Sequence, residues 1–237
     1  MSITLNESRI GRFTSSEIYK LLTVGKTKGS FGKPALTYIE EKKLERELCR
    51  SLDVEVDTKV TSWGHLCEIR VNDLLELKYQ HVSNVTIVYS DVWSGSTDFR
   101  VPGERIAECK AYQPKKFIQY SKALIKGDID FIRENFEQEY WQGVSNAIIN
   151  GVPVAELISY MPYEFELDDI RSLAQELVEQ GNNNYRWVIN CDKQYLPYLP
   201  DHSLFRSFNR FEFEVPQQDK ERLISAVERA GKLLIQN

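Results

Sequence analysis

The stretch "GSTDFRVPGERIAECK", residues 95–110, predicts a β-hairpin that carries charged side chains near the ends of both strands. Two alternations of apolar and polar residues flank a Pro-Gly dipeptide, which is typical of a turn. Side chains at positions i and i+2 share one face of a strand, so Glu108 and Lys110 are predicted to point the same way and Cys109 to point into the opposite layer. Asp98 on the partner strand is then expected to lie close to Glu108.

The predicted pair of carboxylates suggests a cation site. Two carboxylates held together repel each other and need a cation between them. Oxygen ligands of this kind suit Mg²⁺ or Mn²⁺. Lys110 would then lie where it can help deprotonate a metal-bound water or stabilise charge on a phosphate. The same pattern also fits a surface hairpin with a cross-strand pair of a glutamate and a lysine, so the spacing alone leaves both alternatives open.

The composition narrows the class of protein. The chain has 237 residues, 42% hydrophobic and 27% charged, a balance typical of globular proteins. It contains no run of about 18 apolar residues, so no membrane-spanning helix is predicted. The opening stretch "MSITLNESRIGRF" lacks the apolar core of a signal peptide, so a cytoplasmic protein is expected.

The cysteines and histidines argue against several kinds of metal site. The four cysteines are Cys49, Cys67, Cys109 and Cys191, and no two of them form a CxxC pair. This spacing favours a reducing compartment and argues against an iron-sulfur cluster or a structural zinc site. The histidines show no ligand spacing, so a histidine-bound metal is not expected: His65, His81 and His202.

The charge distribution says more than the net charge of −5, which taken alone argues against a nucleic-acid partner. Residues 20–33 contain four lysines and no acid, and residues 109–127 contain five lysines and no acid. A cleft lined by these two segments could hold a polyanion while the outer surface stays acidic. Two solvated loops would explain the same pattern equally well.

The order of predicted elements favours an α/β fold with a central mixed sheet and helices on both faces. A short helix is predicted to start at Thr14–Glu17 with a hydroxyl cap. Longer helices are predicted over residues 34–52, 62–78, 131–149, 167–180 and 218–235, and strands over 82–90, 94–101, 105–112, 154–161, 185–190 and 210–215. No linker or internal repeat interrupts the chain, so residues 1–237 are predicted to form a single domain.

Two of the predicted helices are amphipathic. In the helix over 62–78, one apolar arc contains Leu66, Cys67, Val71, Leu74, Leu75 and Leu77, with Glu68 at its edge. In the helix over 131–149, the polar side contains Gln138, Gln142 and Asn146, opposite an apolar side with Phe136, Tyr140, Val144 and Ile148. Without further information, Gln142 would be an ordinary solvent-exposed residue.

Four blocks of the sequence resemble the lambda-exonuclease-like (YqaJ-type) family of PD-(D/E)XK nucleases, in the family's order over residues 9–162. They are "SRIGRFTSSEIYKLL" with its Arg-x-Gly and Thr-small-Ser, "TSWGHLCEIRVNDLLE" with Trp-Gly before a helix acid, the acid and Glu-x-Lys of the hairpin, and "EYWQGVSNAIINGVPVAELISYMP" with a helix glutamine. Each block alone is weakly specific, but the four together are specific. The resemblance implies a restriction-endonuclease-like core.

The resemblance also implies roles for individual residues around the hairpin. It makes Asp98 and Glu108 metal ligands, helped by the backbone carbonyl of Cys109. Lys110 corresponds to the catalytic lysine. Glu68 corresponds to the helix acid that completes the metal site.

Further residues are implied at the edges of the site. Gln142 matches the helix glutamine beside the active site, and Arg9 and Ser16 match positions that hold a 5′-terminal phosphate. The chain departs from the family in having Phe99 where a glycine commonly follows the motif aspartate. The stretch before Arg9 is short, so no longer N-terminal segment is expected, and residues 163–207 match nothing in the family.

The function implied by the resemblance is a Mg²⁺-dependent DNA exonuclease, with Mn²⁺ as an alternative ion, that degrades one strand of duplex DNA from 5′ ends. The resemblance further implies phage-type recombination, a toroidal homotrimer, a single-strand-annealing recombinase as partner, and the cytoplasm of a bacterium or phage-infected cell. Two alternatives stay open: an endonuclease of the restriction or repair type, and a non-catalytic DNA-binding module on a nuclease core.

Overall fold

The computed structural model of the chain describes residues 7–52, 58–82 and 85–235. Within these ranges the strands are β1 (Phe13–Thr14), β2 (Gln80–His81), β3 (Ile87–Ser90), β4 (Trp93–Gly95), β5 (Phe99–Val101), β6 (Arg105–Lys110), β7 (Val154–Tyr160) and β8 (Phe208–Glu214). The α-helices are α1 (Lys33–Leu48), α2 (Lys59–Leu74), α3 (Pro114–Lys126), α4 (Ile129–Asn135), α5 (Glu137–Asn150), α6 (Leu167–Glu179), α7 (Arg186–Asn190) and α8 (Gln217–Ile235). Short 3₁₀ helices cover Ser15–Leu22, Glu164–Glu166, Asn183–Tyr185 and Lys193–Tyr195.

The main sheet has five strands in the order β2-β5-β6-β7-β8. The pair β6–β7 is parallel, whereas β2–β5, β5–β6 and β7–β8 are antiparallel, so the sheet is mixed as predicted. A smaller sheet has the order β1-β4-β3, in which β1 runs parallel to β4. The predicted hairpin is confirmed, because β5 and β6 pair directly across the turn that contains Gly103, whose φ of +74° suits glycine.

The central strands are covered on both faces. Along β7, Ala155 and Leu157 enter a core cluster with α1, α5 and α8, while Ile158 and Tyr160 enter a second cluster with α2, α6 and α7. A strand that is buried on both faces loses the apolar-polar alternation of a half-buried strand, and its apolar residues follow one another. The predicted arrangement of helices on both faces of the sheet is therefore confirmed.

The helix predicted over 62–78 ends earlier than expected. It is α2, which ends at Leu74, and the part of its predicted apolar arc beyond Val71 is partly wrong. Leu75 is buried, but Leu74 is 43% exposed and Leu77 is completely exposed. The helical period no longer applies once the backbone becomes extended at Leu75, where φ is −82° and ψ is 156°.

The strand predicted over 185–190 is wrong. This segment is the end of a 3₁₀ helix followed by α7. Its apolar content suggested a strand, but the buried side chains are Tyr185 and Val188, three residues apart, which is a helical spacing. The indole of Trp187 donates to Ser62 Oγ at 2.8 Å, so contacts with α2 fix the segment there.

Other boundaries also differ from prediction, and the strand predicted over 94–101 is two strands, β4 and β5, that belong to different sheets. The helix predicted over 131–149 is two helices, α4 and α5, separated at Phe136, whose ring lies 4.9 Å from that of Tyr120. The predicted cap at Thr14 forms no side-chain cap bond, and Glu17 instead pairs with Lys20. Within the strand predicted over 82–90, β3 begins at Ile87 and ends at Ser90. Residues 83–84 of that prediction lie outside the described residues.

No helix in the described part of the chain is long and apolar enough to cross a membrane.

Candidate active site

Glu108 is a completely buried carboxylate with two amide partners. It projects from β6 toward α5, where Asn146 Nδ2 donates to Oε1 at 2.6 Å and Gln142 Nε2 donates to Oε2 at 2.6 Å. Gln142 and Asn146 are four residues apart and so lie on one face of the helix. The polar side predicted for this helix therefore faces the candidate site, and the two residues are buried rather than solvated.

Lys110 lies next to Glu108 on the same face of β6, as the two-residue spacing predicts. Its Nζ donates to Gln142 Oε1 at 2.9 Å. The amide of Gln142 therefore accepts from the ammonium with its oxygen and donates to the carboxylate with its nitrogen. Cys109 packs against the other core cluster, as predicted.

Asp98 is held at the start of the hairpin by the backbone of the partner strand. Its Oδ2 accepts from the Cys109 N–H at 2.7 Å. The register pairs Phe99 with Ala107, so the preceding Asp98 comes to the level of Glu108. Asp98 therefore lies close enough to Glu108 for its charge to raise the pKa of that carboxyl.

The two acids have raised pKa values. Burial, together with the nearby charge of Asp98, raises the pKa of Glu108 to about 8. Burial and the charge of Glu68 raise the pKa of Asp98 to about 6. Burial opposes the charged form of Lys110, but Asp98 and Glu108 outweigh it and raise the pKa of the ammonium above its ordinary value. The site thus concentrates negative charge against one lysine.

Glu68 approaches the site from α2. Its Oε1 lies 2.7 Å from His81 Nε2, and this hydrogen bond raises the pKa of His81. The His81 ring stacks on Phe99, with 5.0 Å between the ring centroids. The charge of Glu68 also raises the pKa of Asp98, so the two acids lie near each other. The hydrogen-bond partner of the Glu68 carboxylate in this structure is His81.

Ser15 connects the N-terminal motif to the acids. Its Oγ donates to Asn146 Oδ1 at 2.7 Å and lies 2.8 Å from Ser145 Oγ. Gly95 lies against this contact, and a Cβ built there would overlap both Ser15 Oγ and Asn146 Oδ1. Glycine is thus needed where the small sheet meets α5.

The two residues expected at a terminal phosphate differ in their contacts. The Ser16 carbonyl accepts a hydrogen bond from Gln138 Nε2 at 3.1 Å. Gln138 lies one turn of α5 before Gln142, so Ser16 contacts the helix one turn away from the candidate site. Arg9 is half-buried in the turn before β1, and within the described ranges its side chain has no hydrogen bond or ion pair. The adjoining Gly11 is held by Glu45 Oε2, which accepts its N–H at 2.8 Å.

The carboxylates at the end of the hairpin form a small set of oxygen donors for a metal ion. Among the described residues, no group of three or more His, Cys, Asp or Glu side chains is arranged to hold one. Two carboxylates, Asp98 and Glu108, do come together, next to the backbone of Cys109. Magnesium typically keeps several waters and binds through one or two carboxylates plus substrate phosphates, so this set fits it.

Sequence reasoning missed several members of this network. The sequence predicts Asn146 on the polar side of its helix without a role, and its spacing of four from Gln142 is the signal that points to one. No sequence pattern indicates Ser15 and Ser145, since only the fold brings them together. Glu139, 3% exposed, was also missed; its carboxylate accepts from Lys116 Nζ at 2.9 Å and from the Tyr112 hydroxyl.

Comparison with known proteins found similarity in structure only. No family model and no curated protein sequence matches the chain. LHK-Exo in complex with dAMP superposes with a TM-score of 0.62 at 13% identity, covering 98% of this chain and 92% of that one. Another structure of LHK-Exo, an alkaline exonuclease from Laribacter hongkongensis, gives 0.57 at 14% identity, covering 96% and 89%.

A phage-related exonuclease from Haemophilus somnus 129PT gives a TM-score of 0.58 at 13% identity, covering 94% of this chain and 93% of that one. Nearly the whole of each chain is matched, so the similarity extends over the mixed sheet and the helices on both its faces. The chain therefore has the same α/β fold as these three structures, with a mixed sheet between two layers of helices.

Proposed function

We propose that the protein is a Mg²⁺-dependent deoxyribonuclease that degrades one strand of linear duplex DNA from its 5′ end. The observation that carries the proposal is the group formed by the buried Glu108 and the half-buried Asp98 and Lys110, in a chain with the fold of exonucleases. Gln142 joins Glu108 to Lys110, and the Cys109 N–H holds Asp98. A pair of neighbouring acids with raised pKa values is typical of a functional site.

The cation would be held by Asp98, Glu108 and the carbonyl of Cys109, with Glu68 nearby; Mn²⁺ has the same ligand preferences. When bound, it would stabilise negative charge on the scissile phosphate and make water a stronger acid. It would also relieve the repulsion that raises the pKa values of the two acids. The release of Glu68 from His81 would bring a third acid into use.

Three residues of the chain would stabilise charge and hold the reacting groups in position. Lys110 has a raised pKa, so it stays protonated, which suits stabilisation of phosphate charge rather than abstraction of a proton. Gln142 holds the lysine and Glu108 in fixed relative positions, and Asn146 holds the second oxygen of Glu108. Fixed donors lower the reorganisation needed in the transition state.

The preference for 5′ ends is assigned to Arg9 and Ser16. An arginine fork suits the doubly charged terminal phosphate, and the half-buried Arg9 has a guanidinium without a partner in the described ranges. The link from Ser15 to Asn146 and Glu108 connects this segment to the acids. The proposal extends to phage-type recombination with a single-strand-annealing recombinase, a homotrimer around DNA, and action in the cytoplasm of a bacterial or phage-infected cell.

The test is digestion of linear 5′-phosphorylated duplex DNA and of covalently closed duplex DNA, with Mg²⁺ or with EDTA. The proposal expects Mg²⁺-dependent loss of linear DNA only, and no loss with Asp98→Asn protein prepared in the same way. Nicking of closed circles would replace the exonuclease with an endonuclease. DNA binding without cleavage under all conditions would indicate a non-catalytic module.

A further inference from the structure

A groove opens beside the candidate active site, between α3 and the junction of α4 and α5. Its volume is about 700 Å³. One wall is a face of α3 that includes Lys116, Gln119, Lys122 and Lys126. The opposite wall includes Phe131, Asn135, Phe136 and Gln138, and Tyr19 closes one side. The groove is therefore built from a basic wall and an aromatic wall.

The three lysines form a line along α3. At 100° per residue, Lys116, Lys122 and Lys126 fall within one arc of about 120°, and at 1.5 Å per residue they span about 15 Å. All three are exposed. A single strand of B-form geometry carries one phosphate about every 3.4 Å, so the line covers the length of about four phosphates.

The groove is positive although the protein is acidic. Its lining contains three lysines against Glu137 and Glu139, a net charge of +1, whereas the whole chain carries −5. The pair between Lys126 and Asp128 is 2.9 Å long but exposed, and such pairs contribute little. The charge of Lys122, which has no ion pair among the described residues, and that of Lys126 therefore remain available to a polyanion, whereas Lys116 pairs with Glu139.

One end of the groove lies near the candidate site, because its lining residue Glu139 is close enough to Lys110 to raise the pKa of the ammonium. Lys116 donates to the buried carboxylate of Glu139 at 2.9 Å, which fixes the lysine against α5. Glu139 lies three residues, less than one turn, before Gln142, the partner of Glu108 and Lys110. A chain lying in the groove would thus continue directly to the acids.

The aromatic wall offers flat apolar surfaces. Phe131 is 40% exposed, and Lys126 Nζ lies 5.3 Å from the centre of its ring, so the aromatic face and a groove lysine adjoin. Tyr19 and Phe136 are half-buried on the same groove. Aromatic faces beside a line of lysines are the combination by which proteins bind single strands, with bases stacked and phosphates neutralised.

We propose that this groove binds a segment of single-stranded nucleic acid, continuous with the strand at the candidate active site. Its phosphates lie along Lys116, Lys122 and Lys126, and its bases stack toward Phe131. The proposal rests on the nuclease function proposed above and adds the path of the strand outside the site.

The first test measures binding of a fluorescent oligothymidylate of about 12 nucleotides by anisotropy, in EDTA so that nothing is cleaved. The variant K122Q/K126Q removes two groove charges, and the control K78Q/K232Q removes two exposed charges elsewhere. The groove variant should bind about tenfold more weakly at low salt. Its slope of log K against log salt should be shallower by about 1.4, or 0.7 per lost phosphate contact.

The second test separates bases from phosphates. Phe131→Ala should weaken binding of oligothymidylate about fivefold and leave binding of an abasic strand of the same length unchanged, because only the first can stack. K122Q/K126Q should weaken both. Equal weakening of both strands by Phe131→Ala would overturn the proposed orientation.

The groove is refuted if K122Q/K126Q, shown by circular dichroism to be folded, binds like K78Q/K232Q. A competition experiment adds polyglutamate or unlabelled oligothymidylate at the same concentration of negative charge. If both displace the labelled strand equally well, the groove is a general site for acidic polymers and the proposed nucleic-acid site is wrong. These outcomes are independent of cleavage. If the wild type degrades no DNA and K122Q/K126Q still binds the strand more weakly than the wild type, the proposed nuclease function is wrong and the proposed groove is supported.

Discussion

Asn146 and Ser15, 131 residues apart in the chain, are joined by a hydrogen bond of 2.7 Å from the serine hydroxyl to the amide oxygen. The amide nitrogen of Asn146 donates in turn to Glu108 at 2.6 Å. The N-terminal motif and the acid of the hairpin are therefore parts of one hydrogen-bonded network. Changes at either end should be felt at the other.

Glu108→Gln and Asp98→Asn are each expected to lower nuclease activity about 100-fold or more, because each removes a carboxylate proposed to hold the cation. Both variants should stay folded, since removing one of two repelling charges stabilises the metal-free protein. Activity on linear duplex DNA and thermal unfolding check the two statements. Exposed Glu104→Gln, in the hairpin turn, is the control. Wild-type rates in either site variant would remove the residue from the site.

The stability of the metal-free protein should fall as pH rises from about 4 to about 8. Folding raises the pKa of Asp98 from 3.8 to about 6 and that of Glu108 from 4.5 to about 8. The folded state therefore keeps protons that the unfolded state has released in this range, so the free energy of unfolding decreases with pH. The raised pKa of His81 acts in the same direction.

Urea unfolding in EDTA at pH 5 and pH 8, on wild type and Glu108→Gln, measures this effect. The wild type should lose of the order of 2 kcal/mol more than the variant between the two pH values. The variant retains His81 but removes Glu108 together with its effect on Asp98, so the difference measures the part of the pH dependence that comes from the pair of acids through Glu108. A wild type that gains stability relative to the variant at pH 8 would contradict the raised pKa.

Lys110→Ala should lower the rate of cleavage about 100- to 1000-fold while Mg²⁺ and DNA binding persist, because the ammonium is proposed to stabilise charge rather than to ligate the ion. Calorimetry of Mg²⁺ binding and anisotropy with duplex DNA in EDTA measure the two affinities. Lys78→Ala provides an exposed lysine control. Loss of Mg²⁺ affinity together with activity would make this division of roles wrong.

Arg9→Ala should erase most of the preference for 5′-phosphorylated over 5′-hydroxyl duplex ends. A charge-assisted contact to the terminal phosphate is worth about 1.5–3 kcal/mol, or about tenfold or more in rate or affinity. Degradation rates of both substrates by both proteins give the ratio, and Arg186→Ala is a control on a different element. An unchanged ratio in Arg9→Ala would remove the residue from the end-binding site.

Gly95→Ala should destabilise the protein by about 1–3 kcal/mol, because the added methyl group overlaps Ser15 and Asn146. Activity should fall as well, since Asn146 also holds Glu108. Gly64→Ala, where an added Cβ meets nothing within 4 Å, is the matched control. Unfolding by urea and cleavage of linear DNA are the measurements, and equal stability of the two variants would contradict the close contact.

Local periodicity accounts for what the sequence could predict. The period of two in the hairpin put Glu108 and Lys110 on one face and Cys109 on the other, and the helical period put Gln142 and Asn146 together. Whether that polar face met water or a buried acid could not be decided, because the answer depends on packing against β6.

Tertiary contacts explain where the predicted secondary structure is wrong. The segment 185–190 has the composition of a strand, but docking of Trp187 onto α2 makes it helical. The break between α4 and α5 occurs at Phe136, which packs on Tyr120 of α3. Neither partner is near in the sequence, so no local pattern could have indicated them.

The alternation along β6 has an evolutionary consequence. Glu108 and Lys110 project toward α5, while Ala107 and Cys109 project toward the cluster that contains α6 and α7. Those two helices belong to residues 163–207, which contribute no hydrogen bond to Glu108 or Lys110 in the described part of the chain. Substitutions there can remodel the packing behind the strand without touching the contacts in front of it. The fold thereby lets one layer drift in sequence while selection on the chemistry acts on the other.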